Sequence, residues 1–186
     1  MTLLIKTISI TKRLVSRILK RAPTHTLIPE EEVKIFDLLK SDIKIVFDVG
    51  ARDEISYLQT HKDAYYHLFE PNQMFADQLL NKLLLIPNIK YSINKFGLSD
   101  KPLDEAVYFE KSQSFMINPT IGEDIDTGLR FSLKTLDWYT KKRKVKRVDF
   151  LKIDTEGFDY KVLIGGNKTL RAVKYLQFEY WDGVKK

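Results

Sequence analysis

No cysteine occurs among the 186 residues, which removes disulfide frameworks, thiolate metal sites and cysteine nucleophiles from consideration. Histidine is scarce: His25, His61 and His67 are too scattered for a metal site, and strand or surface positions are expected for them. No metal is expected elsewhere, since two carboxylates such as Asp154 and Glu179 specify little by themselves. Lys or Arg interrupts every apolar stretch before it reaches the ~18 residues of a membrane span. A soluble, cytoplasmic body is the expectation. Glycine is sparse as well, with eight in all, and none of them build the G-x-G-x-x-G turn of a dinucleotide-binding fold. The turn after the first predicted strand reads Gly50-Ala51-Arg52-Asp53-Glu54. A pyrophosphate there would meet two carboxylates instead of open backbone amides, so a dinucleotide is disfavoured.

Acid is missing from residues 1–22, which hold Lys6, Lys12, Arg13, Arg17, Lys20 and Arg21. Against 31 basic and 25 acidic residues in the whole chain, those six account for the net charge of +6. The remainder is neutral, which argues against a nucleic-acid enzyme with a basic field over its binding face. Leu4, Ile8, Val15, Ile18 and Leu19 fall at roughly helical spacing within this arm, which ends before Pro23. The pattern predicts an amphipathic helix, either packed on its own domain or a partner, or lying peripherally on an anionic membrane surface. The chain therefore divides into a basic arm, 1–22, and one domain, 23–186.

That domain is large enough for a substantial core. Pro29 and three glutamates open a predicted helix running to about Lys40, with Val33, Ile35, Phe36, Leu38 and Leu39 as its apolar face. Short apolar runs then alternate with helical stretches, the pattern of a mainly parallel sheet covered on both faces. Strands are predicted at Ile43–Val49, Tyr65–Glu70, Ile89–Phe96, Val148–Asp154 and Val173–Tyr180, with helices after the first, second and fourth. Pro71 is expected at the first position of a helix that buries Phe75, Leu79, Leu80 and Leu83. Two weaker β segments, Ala106–Phe109 and Leu129–Thr135, flank a polar stretch from Lys111 to Gly128 that reads as a long loop. A short helix follows from Leu136.

Chemistry concentrates at the predicted strand ends, where open α/β sheets place ligands. Asp48 and Gly50 close the first strand with Ala51 after them, and a glycine there lets backbone approach a ligand. Glu70 closes the second, before Pro71 and about twenty residues after Gly50; an ionised carboxylate there can accept both ribose hydroxyls of an adenosine-containing cofactor, or simply cap the next helix. Asp154 and Glu156 end the fourth, beside Gly157. The run Lys141-Lys142-Arg143-Lys144-Val145-Lys146-Arg147 suits either a solvated helix end or an anionic glycan or headgroup.

The stretch from Leu151 to Gly157, LKIDTEG, followed by VLIGG, resembles the signature of FkbM methyltransferases. VFDVGA at 46–51, HLFEPN at 67–72, FGLSD at 96–100, LKTLDWY at 133–139 and YLQFEYW at 175–181 match further motifs of that family in order. The resemblance implies a Rossmann-like class I methyltransferase fold, lacking the C-terminal β-hairpin, that binds S-adenosylmethionine and methylates a hydroxyl of a sugar, lipid or secondary metabolite. By position it puts Asp48 and Gly50 at the methionine end, Glu70 at the ribose, and Ser99 with Asp100 at the adenine, with Ala51 and Pro71 also among the cofactor-binding residues. Asp154 and Glu156 would face the reacting centre, either one a candidate base. Glu54 stands where the family usually has a second glycine, which opens the alternative of a binding or scaffold domain that has lost its cofactor. The fifth strand is expected to leave a sheet edge that a second copy or the arm covers.

Overall fold

The computed structural model describes residues 34, 36–111, 114–117 and 125–178. The predicted N-terminal helix of the arm and residues 179–186 lie outside them. Its centre is a five-stranded, wholly parallel sheet built from β1 (Ile45–Val49), β2 (Tyr65–Phe69), β3 (Lys90–Asn94), β8 (Val148–Ile153) and β9 (Val173–Phe178), in the order β3-β2-β1-β8-β9. Strands buried on both faces must be apolar almost throughout, and β1 has all but its first residue buried.

One face carries Val46, Tyr66, Leu68 and Phe150, covered by α1 (Ser56–Thr60) and α2 (Gln73–Leu83) through Tyr57, Leu58, Leu79 and Leu83. The other carries Phe47, Val49, Phe69 and Leu151, covered by α3 (Leu136–Arg143) and α4 (Asp159–Gly165) through Tyr139, Val162 and Leu163. Each helix that follows a strand returns the chain to the amino edge of the sheet, as parallel pairing requires. The arrangement is the α/β, Rossmann-like one the motif order implies.

Three details differ from the sequence reading. The stretch Lys111–Gly128 is not one long loop. Within it lie β6 (Ser114–Ile117) and the start of β7 (Ile125–Lys134), which join β4 (Gly97–Leu98) and β5 (Leu103–Lys111) in a second sheet of order β4-β7-β5-β6. Its β5–β6 and β5–β7 pairs are antiparallel, the latter interrupted by register shifts. Antiparallel strands with one wet face need only alternate apolar residues, and such weak alternation is lost in a polar stretch. Pro71 is not the first residue of α2 either: Asn72 caps that helix, its side chain accepting the Met74 N–H at 2.9 Å, and Pro71 precedes the cap. Finally, Leu38 is 82% exposed whereas Phe36 is buried against Tyr57 and Phe150, so only part of the expected apolar face is used.

Candidate functional site

Register fixes which residues meet at the carboxyl edge. Val49 is level with Phe69 on one side and Ile153 on the other, so Gly50, Glu70 and Asp154 leave the sheet side by side. The Gly50 and Ala51 N–H groups both donate to the Phe69 carbonyl, at 3.0 and 3.1 Å, and the Asp154 N–H donates to the Val49 carbonyl at 2.8 Å. Gly50 has φ +86°, and a Cβ there would lie 1.8 Å from the Asp154 carbonyl oxygen. Only glycine fits, because both the left-handed conformation and the crossing backbone exclude a side chain.

Glu70 is buried at the centre of this edge. Its Oε2 accepts the Arg52 N–H at 2.9 Å and its Oε1 the Asn72 N–H at 2.8 Å. Capping of α2 falls to Asn72, so the carboxylate is not the helix cap that its place before Pro71 suggested. Each oxygen retains an accepting lone pair. Burial pushes the Glu70 carboxyl up to about 7, against the two backbone N–H groups, and the neighbouring Asp48 adds to the rise.

Asp48 is also buried, and the Tyr57 hydroxyl donates to its Oδ2. Its Oδ1 has no hydrogen-bond partner among the described residues, a costly state for a buried acceptor unless a ligand supplies the donor. Burial raises this carboxyl, while Lys152, its cross-strand neighbour in the β1–β8 register, and the Tyr57 hydrogen bond pull it back. The Lys152 ammonium also pairs with Asp154 Oδ2 at 3.0 Å. Lys152 and Tyr57 are functional neighbours that sequence reasoning did not single out. Lys152 has a visible signal, a cation inside a strand that is apolar apart from Asp149, but Tyr57 reaches Asp48 only through the docking of α1.

Asp154 and Glu156 could have been caps for α4; they are not. That helix begins after Phe158 with no side-chain cap, and Asp159 instead takes the Thr155 N–H and hydroxyl at 3.2 and 2.7 Å. Glu156 sits in a tight turn with φ 52°, followed by Gly157 at φ +101°. Burial, and then the Asp154 charge, raises its carboxyl. Glu54 folds back on the start of α1, where its Oε1 accepts the Ser56 N–H at 2.6 Å and the Ser56 hydroxyl.

Ala51 is buried behind Gly50 and Pro71 is half-buried beside Glu70. Ser99 and Asp100 stand apart from this row. They follow β4 in the second sheet, where the Ser99 N–H donates to the Lys134 carbonyl at 2.9 Å and its hydroxyl to Asp100 Oδ1 at 2.9 Å. The Ser99 carbonyl lies 2.0 Å from where a Cβ on Gly165 would be, so α4 ends against it. The second sheet also meets the site, because Phe158, just ahead of α4, packs with Ala106, Phe131 and Leu133. Among the described residues no cluster of three or more metal-ligating side chains occurs.

This edge presents a glycine cradle, two buried carboxylates with unused accepting capacity and two further acids in a turn. Such a set suits a ligand with hydroxyl and ammonium donors and a positive charge, and it is ill suited to phosphate. Residues 48–181 match the family model described as Methyltransferase FkbM domain. No protein of curated function and no solved structure matches the chain.

Proposed function

Since the chain belongs to the FkbM methyltransferase family, we propose that it transfers a methyl group from S-adenosylmethionine to a hydroxyl oxygen of a sugar, lipid or secondary metabolite. The observation that carries this reading is Glu70: a buried carboxylate at the second strand end, fixed by two backbone N–H groups, with one lone pair left on each oxygen. Two vicinal ribose hydroxyls need that pair of acceptors. Gly50 leaves the backbone open to the methionine end, and the unpartnered Asp48 Oδ1 is the acceptor for an ammonium donor. Ala51 and Pro71 border the same cradle. Ser99 and Asp100 are assigned to the adenine on the family motif alone.

S-adenosylmethionine, when bound, supplies a methyl group on a positively charged sulfonium. The chain's own part is chiefly orientation, because an in-line displacement gains most from holding the attacking oxygen in line. Glu156 is the better-suited base for the hydroxyl proton, since its raised carboxyl lies nearer the working pH of a general base. Asp154, paired with Lys152, fits an orienting role. The second reading is a methyltransferase-like binding domain without catalysis. It is favoured by Glu54 at the position of a family glycine, and weakened by the Ser56 contacts that hold that side chain on α1.

Calorimetric titration with S-adenosylmethionine or S-adenosylhomocysteine tests the proposal directly. Binding is expected, and Glu70→Ala is expected to weaken it by about 1.5–3 kcal/mol, the range for hydrogen bonds to a charged group. No heat at millimolar ligand would reject it. Unchanged affinity in the variant would remove Glu70 from the ligand set.

A further inference from the structure

The opposite, amino edge of the parallel sheet has a character of its own. From residue 141 to 147 the chain holds six cations, Val145 being the exception, and all six are exposed. They lie along the edge. Lys144, in the left-handed region at φ 56°, ends α3, and the next three residues lead straight into β8. Arg143 reaches towards Tyr65, the first residue of β2, and Arg147 pairs at 2.5 Å with Asp149, whose other oxygen accepts the Lys44 N–H ahead of β1. Apart from Arg147, no cation of this run has an ion-pair partner among the described residues.

Apolar side chains accompany this charge. The three most exposed large hydrophobics among the described residues are Leu38 and Leu85, each 82% exposed, and Leu84 at 68%. Leu84 and Leu85 sit where α2 turns back into β3, and Leu38 lies in the helical stretch ahead of β1, so all three belong to the approach to the amino edge. At the other edge stand Asp48, Glu54, Glu70, Asp154 and Glu156. The domain beyond the arm has no net charge, yet its two edges differ in sign.

We propose that the amino edge docks on an anionic lipid bilayer and leaves the carboxyl edge facing water. Cations next to exposed leucines match a bilayer interface, where headgroup charge and apolar insertion act together. A nucleic acid would reward the cations and leave the leucines exposed. A strand of five or six residues spans about 17–20 Å, so the acceptor hydroxyl is methylated at that height above the surface. Lipid hydroxyls at headgroup level are out of reach in this orientation.

The test is co-sedimentation of the full chain with vesicles of phosphatidylcholine alone or with phosphatidylserine, at low and at physiological salt. Binding is expected only with phosphatidylserine and should fall as salt rises. Lys142→Ser/Lys144→Ser/Lys146→Ser should lower partitioning on the order of a hundredfold at low salt, at about fivefold per lysine. Leu84→Ser/Leu85→Ser should lower it several-fold with the charge untouched. Both variants should keep the parent melting temperature and cofactor titration, which separates this proposal from the catalytic one. No binding to anionic vesicles at low salt overturns it, and so does full loss on deleting residues 1–22 with the lysine variant unaffected. If the leucine variant binds normally and single-stranded RNA competes with vesicles, the face reads polyanions and the lipid assignment fails.

Discussion

Each edge of the sheet buries a carboxylate that accepts two backbone N–H groups, and the two are used differently. At the amino edge Asp149 Oδ2 takes the Lys44 and Ile45 N–H groups at 2.8 and 2.9 Å, and Oδ1 faces the Arg147 guanidinium. Its charge is balanced by that guanidinium, and Oδ2 ties β8 to the entry of β1 while Oδ1 has the ion pair but no hydrogen bond among the described residues. At the carboxyl edge Glu70 has one N–H per oxygen and no ion pair among the described residues, the Arg52 charge acting on it without contact, and Asp48 nearby keeps an oxygen with no hydrogen-bond partner among them. The first carboxylate is neutralised by a cation in contact with it; the second pair, on the function proposed above, receives a ligand. A contacting cation, more than burial, separates the structural acid from the candidate binding ones.

The sharpest way to break this contrast is at Asp149. Asp149→Ala strands two part-buried N–H groups, so unfolding free energy should fall by up to about 2–6 kcal/mol, at 1–3 for each orphaned donor. Cofactor affinity of the fraction that remains folded should be unchanged. Denaturant melts paired with calorimetry would expose the error if affinity falls with stability, because Asp149 would then serve the site as well.

Proton linkage provides the next test. Glu70 titrates near 7 in the folded chain against an ordinary value of 4.5. The folded state therefore holds the extra proton between those values, and stability falls by about 3 kcal/mol as pH rises through them. His67, buried on β2 with Nδ1 2.8 Å from the Tyr139 hydroxyl, is pushed down to about 4 by burial and then by Arg143. For it the unfolded chain binds the extra proton between 4 and 6.5, so stability is lost as pH falls through that window. The two slopes oppose each other and largely cancel from 4.5 to 6.5. Glu70→Gln removes one of them, and its stability relative to the parent should climb by about 3 kcal/mol from pH 4.5 to 7. A level difference curve would mean that Glu70 ionises like an exposed acid.

The smallest expected effect is at Glu54. Glu54→Gly removes the acceptor for the Ser56 N–H, a loss of about 0.5–2 kcal/mol if it acts as a helix cap does. Cofactor affinity should move by less than a factor of two. Binding that emerges only in the variant would instead establish that this side chain blocks the site, and the non-catalytic reading would stand.

Most of the site's roster was legible in the sequence because ligand-bearing residues in a parallel sheet follow strand ends, and strand ends are marked by abrupt loss of apolar residues at Asp48-Val49-Gly50, Phe69-Glu70 and Ile153-Asp154. The role of each was not. Whether Glu70 was a cap depended on Asn72 standing one residue past Pro71, a difference that local pattern does not resolve. The second sheet was half legible: Ala106–Phe109 and Leu129–Thr135 read as β, but β6 and the first half of β7 lie in a stretch that is polar on the whole, and strand formation depends on cross-strand neighbours that local sequence does not show.

By itself the sequence determined the α/β order of elements, the carboxylates available at three strand ends, and the net charge, since these depend only on the identity and periodicity of residues along the chain. Tertiary structure decided what those groups experience. Register set Lys152 opposite Asp48, docking of α1 brought the Tyr57 hydroxyl to the same carboxylate, and the crossing of Asp154 over Gly50 forbade a side chain there. It also sorted a neutral body into an acidic edge and a basic one. Composition sums charge without regard to place, whereas a parallel sheet sends every strand end to one side and every strand start to the other.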